Sequence, residues 1–172
     1  MDIEESILRY RSNENIWEIA HFVLNNPEEM ETIWGLIENG SEQMQMRASW
    51  VLGKVIEKNA TLLGLSMERL LDKLGSSKND GLKRNLLRSV YFSEIKNQYY
   101  SILFDLACRF VLNPSEPIAV RMFSMRIANR IVVQVPELSQ ELLQVLESIS
   151  GTVNTPGLRN AYLNVLKEVR RI

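Results

Sequence analysis

Four arginines recur along this chain at nearly constant spacing. Arg47, Arg84, Arg121 and Arg159 stand 37, 37 and 38 residues apart. A period of this length points to stacked copies of one small unit. Around the arginines run MRASWVLGKV, KRNLLRSVYF, VRMFSMRIAN and LRNAYLNVLK. Another apolar helical stretch precedes each, ending at Ile37, Leu74, Val111 and Ile149. Apolar residues within these stretches fall at helical steps, as in Leu103, Leu106, Ala107 and Phe110, or Leu142, Leu143, Leu146 and Ile149. Sustained period-two alternation is absent, and the β-branched Ile131-Val132-Val133 continues a helical pattern that starts near Pro117. Breaks fall at Asn26-Pro27, Asn39-Gly40, Gly75, Asp80-Gly81, Pro114 with Pro117, Val135-Pro136 and Gly151 to Pro156. They predict helices over 2–10, 13–25, 28–39, 43–58, 62–74, 81–94, 98–112, 117–134, 137–149 and 155–171. Leu52, Leu74, Leu106, Leu146 and Leu166 are expected in the core. The four arginines are expected at equivalent places near the starts of stacked helices.

The unit is a first helix (A), a short polar turn and a second helix (B). The stretch Met46 to Val55, with Ala48, Leu52, Gly53 and Lys54, resembles the second helix of a HEAT repeat. Glu42, Asp80 and Glu116 precede Arg47, Arg84 and Arg121 by four or five residues, similar to the acidic turn of such units; the last unit lacks this acid. The Trp/Gly/Tyr pattern of tetratricopeptides is missing. AVRMFSM and the Val-Pro-Glu-Leu at 135–138 are also similar to small bacterial HEAT-like proteins. The resemblance covers about residues 27–172. It implies an all-α fold, a right-handed α-solenoid of about four HEAT-like helical pairs with an N-terminal capping segment. The expected organisation is a single domain over 1–172. Residues 1–26 form the cap, with Glu4, Glu5, Glu14 and Glu18 on a solvated end. The repeats cover approximately 27–59, 62–97, 98–135 and 136–172.

Charge and composition narrow the function classes. The 172 residues carry 20 Lys+Arg and 21 Asp+Glu, a net charge of −1. That balance argues against a polybasic nucleic-acid binder and against an acidic disordered tail. One cysteine, Cys108, excludes an intrachain disulfide framework, and with the single histidine, His21, it excludes the usual Cys/His zinc clusters. No cofactor is expected. Asp2, Glu4 and Glu5 at the start are the opposite of a basic signal-peptide region. No apolar run approaches the roughly 20 residues of a spanning helix. The expected setting is therefore cytoplasmic, with no membrane partner. The charge is uneven: residues 1–43 hold ten acids and two bases, and residues 44–172 eleven acids and eighteen bases. An acidic end and a basic body allow head-to-tail contact or an acidic partner; ordinary surface variation also accounts for them.

Several residue sets invite a role. The repeated arginines are either structural, paired with acids of their own or a neighbouring unit, or groove-facing. The resemblance implies that B helices line a concave groove. Arg84/Arg88 and Arg126/Arg130 are i,i+4 pairs, each sharing a helix face. Trp17, Trp34 and Trp50 suit a core, and an exposed one would serve as a peptide anchor or base-stacking platform. His21 and Cys108 form no catalytic dyad, because they lie on helices more than two repeats apart. Gly75-Ser76-Ser77-Lys78 lacks P-loop spacing and a preceding strand, so it is a surface turn. The candidate partner-binding residues are Arg84, Arg88, Arg121, Arg126, Arg130, Trp50 and Tyr91. The expected function is a non-catalytic interaction or scaffold module whose groove receives a segment of a protein partner. The alternative is nucleic-acid binding through basic B helices, as in HEAT-like DNA glycosylases, although no lesion-site aspartate and aromatics can be matched here. A small-molecule enzyme ranks third; a lyase assignment needs more than one histidine.

Overall fold

The computed structural model describes residues 1–172. It contains ten α-helices and no strand. In chain order they are α1 (Ile3–Arg9), α2 (Asn13–Asn25), α3 (Met30–Asn39), α4 (Glu42–Lys58) and α5 (Met67–Ser76). Then follow α6 (Asp80–Phe92), α7 (Tyr100–Leu112), α8 (Ile118–Gln134), α9 (Ser139–Ile149) and α10 (Pro156–Val169). The chain forms two compact units, Met1–Glu94 and Ile95–Ile172. In the first, α4 packs against α1, α2, α3 and α6, and α5 against α6. In the second, α8 packs against α7, α9 and α10, and α9 also touches α7 and α10.

All ten predicted helices are present. The segment expected to be helical over 62–74 divides into a 3₁₀ turn, Leu62–Leu65, and α5, which starts at Met67. Gly64 and Ser66 sit at this division, and both are weak in a helix interior. Similar 3₁₀ turns, 27–29, 97–99 and 136–138, precede α3, α7 and α9. Pro27 and Pro136 open two of them, where a missing N–H costs nothing.

The second helices set the repeat. Their N-caps are Ser41, Asn79, Pro117 and Thr155, a constant step of 38 residues. Counted from each cap, the same positions point inward. Position +3 holds Met44, Leu82, Val120 and Leu158; position +7 holds Ala48, Leu86, Ser124 and Tyr162; all are buried. The true register corrects the arginine pattern. Arg47 lies six residues after its cap, Arg84 five, and Arg121 and Arg159 four. A helix turns about 100° per residue, so Arg47, Arg84 and Arg121 point in different directions, while Arg121 and Arg159 share a position but not a burial. Arg47 and Arg121 are buried, whereas Arg84 and Arg159 are exposed. Leu52, Leu74, Leu106 and Leu146 are buried as expected, but Leu166 is only half-buried. The inward positions of α10 are Leu158, Ala161, Tyr162, Val165 and Val169, and Leu166 falls one step off that stripe.

Polar bonds tie the helices of the first unit together. Arg47 Nη1 donates to the carbonyls of Ile7 (3.1 Å) and Leu8 (2.9 Å), in the last turn of α1. Asn79 caps α6 by accepting from the Leu82 amide (3.0 Å), while its Nδ2 donates to the Glu42 carbonyl at the start of α4 (3.0 Å). Buried Asn85 donates from Nδ2 to the Met46 carbonyl (2.9 Å) and to Ser49 Oγ (3.1 Å). The side-chain caps of α4 and α6 are thus Ser41 and Asn79. Asp80 instead pairs with Lys83 at 3.4 Å.

Candidate functional site

On α4 and α6 a less buried stripe falls nine and thirteen residues after the cap, although Lys54 on it is itself buried. Trp50 and Arg88 share position +9, and Lys54 and Phe92 share position +13. Helix α2 packs beside α4 and brings Trp17 to this stripe. The Trp17 ring lies 4.7 Å from Lys54 Nζ and 5.3 Å from Lys58 Nζ, within the range of cation–π attraction. His21, one turn along α2, sits 5.5 Å from the same ring, tilted by 42°. Lys54 pairs with Glu57 at 3.2 Å. Arg88 crosses from α6 to the same carboxylate, with Nε donating to Oε1 at 2.7 Å and Nη2 also bonded to it. The Arg88 guanidinium lies 5.5 Å from the Phe92 ring, which meets Tyr91 edge-on at 5.0 Å. The first unit therefore holds a cluster of aromatic rings and cations around one acid.

The other candidates divide by register. Arg84 is exposed, and its Nε donates only to Asn85 Oδ1, at 3.3 Å. Trp50 and Tyr91 are half-buried. In the second unit Arg126 and Arg130 are half-buried on α8, at the +9 and +13 positions that Arg88 and Phe92 hold on α6. Arg121 is 6% exposed, and its Nε donates to the Val111 carbonyl at 3.1 Å, so it joins α8 to α7. Burial lowers its pKa from the ordinary guanidinium value. Its place as a partner-binding residue is corrected by this geometry: the guanidinium is buried against α7 rather than offered at the surface.

Catalytic readings find little support. Cys108 is 7% exposed, and burial, with smaller contributions from Glu141 and Asp105, pushes its thiol up to about 12. A thiol so held is a poor nucleophile. No group of three or more His, Cys, Asp or Glu could hold a metal ion. A cleft of about 290 Å³ at the start of α10 is lined by Asn154, Arg159 and Tyr162 among others, with no carboxylate. No helix is long and apolar enough to cross a membrane.

One network escaped the sequence reading. Arg69 on α5 makes a two-bond fork to Glu38 on α3 (2.6 and 2.8 Å) and a third bond to Glu31 (2.8 Å). Its guanidinium also lies 5.2 Å from the ring of buried Trp34. Hydrogen bonding from Arg69 lowers the pKa of both glutamates, and theirs raises that of the arginine. The available signal was that Glu31 and Arg69 stand one 38-residue period apart. A first-helix acid therefore meets a cation in the corresponding place of the next first helix.

Residues 3–169 match the family model of the HEAT repeat domain. No individual curated protein and no solved structure matches the chain. HEAT repeats generally act as protein-interaction scaffolds and are typically non-catalytic. The paired helices and the match over nearly the whole length agree: the chain belongs to the HEAT repeat domain family.

Proposed function

We propose that this chain is a non-catalytic interaction module that receives a segment of a partner protein on the outward stripe of its second helices. The observation that carries the reading is the mixed character of that stripe in the first unit. Lys54 and Arg88 are already paired with Glu57, and aromatic rings stand among them. A nucleic-acid surface would offer a run of unpaired cations to successive phosphates. A protein segment instead needs apolar anchors within a polar rim, and aromatic and arginine residues are the usual anchors. Within the second unit, Arg126 and Arg130 hold the corresponding positions of α8.

The test is site-directed photocrosslinking in the native cell. A photoreactive residue at Trp50 or Phe92 should capture a defined polypeptide, and one at Glu68, exposed at the start of α5, should not. Equal capture from both positions, or capture of nucleic acid alone, would defeat the proposal.

A further inference from the structure

Resting on that reading, we infer that the segment bound by the first unit is acidic, with an apolar side chain among its carboxylates. Charge is the first argument. The first unit holds fifteen acids and eleven bases, a net −4. The cluster is opposite in sign to that background: Lys54 and Arg88 bond Glu57, Lys58 and Arg84 lie one helical turn away on the same two helices, and these segments, 54–58 and 84–88, carry a net +3. Two of these cations have no carboxylate partner. Lys58 touches only the Trp17 ring, and Arg84 only the neutral amide of Asn85. A local positive field inside a negative surround attracts a short acidic stretch and repels a long uniform polyanion. Glu14 and Glu18, exposed on α2 on either side of Trp17, belong to that surround.

Pre-organisation is the second argument. Long cationic side chains normally lose rotamer freedom when a ligand fixes them, at about 0.5–1.5 kcal/mol each. Here Trp17 already holds both ammonium groups, and Glu57 already holds Arg88. Much of the ordering precedes binding. The third argument is the ring beside the charge. Phe92 is 41% exposed under Arg88, so an apolar side chain can bury it while neighbouring carboxylates reach the cations. From Arg84 to Phe92 is eight residues of helix, about 12 Å at 1.5 Å per residue. About four extended residues cover that distance. The recognised element is therefore short, with acids next to one apolar residue.

Fluorescence anisotropy with a labelled peptide of repeated Glu-Glu-Phe units tests this on the full chain. Controls are the Gln-Gln-Phe and Lys-Lys-Phe counterparts and a mixed-sequence DNA duplex. The acidic peptide should bind most tightly, and its affinity should fall with added salt. Lys58→Glu with Arg84→Glu should weaken it on the order of tenfold or more. Both residues lie at the surface, and an unchanged thermal melt shows that the variant is folded. Equal binding of the Gln-Gln-Phe peptide, tighter binding of the Lys-Lys-Phe peptide or of DNA, or no binding of the acidic peptide would each overturn the inference. If photocrosslinking captures a partner through a neutral or basic segment, the interaction module stands and this inference falls.

Discussion

Replacing Arg47 with methionine tests whether a side chain from α4 holds the N-terminal helix in place. Helix α1 has seven residues, and isolated helices shorter than about 12–15 residues are marginal in water. The last carbonyls of such a helix have no partner within it. Two of them, Ile7 and Leu8, accept from Arg47 Nη1, and Asn15 Nδ2 serves Ser6 and Tyr10. A hydrogen bond to a charged group is worth about 1.5–3 kcal/mol net. Two such bonds give an upper figure near 6 kcal/mol, reduced because Arg47 Nε is buried without a partner, a cost that the substitution removes. Methionine keeps most of the apolar stem. The expected loss is about 2–4 kcal/mol in urea denaturation, with faster hydrogen exchange concentrated in residues 3–9. Arg47→Lys should recover part of it, because one ammonium can reach one carbonyl. A stability change under about 0.5 kcal/mol, with α1 exchange unaltered, would refute the reasoning.

Three further outcomes follow from the packing and charge. Leu106→Ala should cost about 2–5 kcal/mol and half-buried Leu166→Ala less than about 2; equal shifts in a thermal melt would show the α10 register to be wrong. Gly40→Ala places a Cβ 2.5 Å from the Leu36 carbonyl oxygen, so it should cost about 1–3 kcal/mol. Gly35→Ala, with nothing within 4 Å, should stabilise α3 by about 0.5–1 kcal/mol; matching effects in chemical denaturation would contradict this. The Glu38 carboxyl is held below its ordinary 4.5 by the hydrogen bonds from Arg69. Its contribution is full above 4.5 and is lost as the pH falls through the lowered value. Denaturation below about pH 5 should thus lose stability faster in the parent chain than in Arg69→Met; parallel curves would contradict the assignment.

The helices were legible because apolar periodicity reports which face of a helix is buried, and Gly, Pro and Asn mark where it stops. The period was harder to read. Arg47 to Arg84 is 37 residues, but Ser41 to Asn79 is 38, because the cation drifts along the helix while the cap does not. Arg121 is buried against the Val111 carbonyl while Arg159, at the same position of α10, is exposed, so the arginine spacing alone gives neither outcome. The cluster around Trp17 lay further out of reach. Periodicity gives the face of α2 and the face of α4, but not that Lys54 and Lys58 fold back onto one indole. Of the candidate residues, Arg88 was found by its charge; its partner Glu57, 31 positions away, carried no pattern of its own.

The amide of Asn79 has a consequence for how the first unit comes apart. In a repeat array, stability divides into what each unit supplies alone and what each junction supplies. Asn79 belongs to both: the side chain that starts α6 is also bonded to the start of α4. Arg47 has the same dual membership toward α1. Shifting free energy from units to junctions suppresses partly melted states, since a helix that loses its neighbour also loses the bonds that steady its own terminus. The first unit is therefore built to open as a block, with α4 as the common member: when α4 goes, the Asn79 cap of α6 loses the bond that anchors it and α1 is released in the same step.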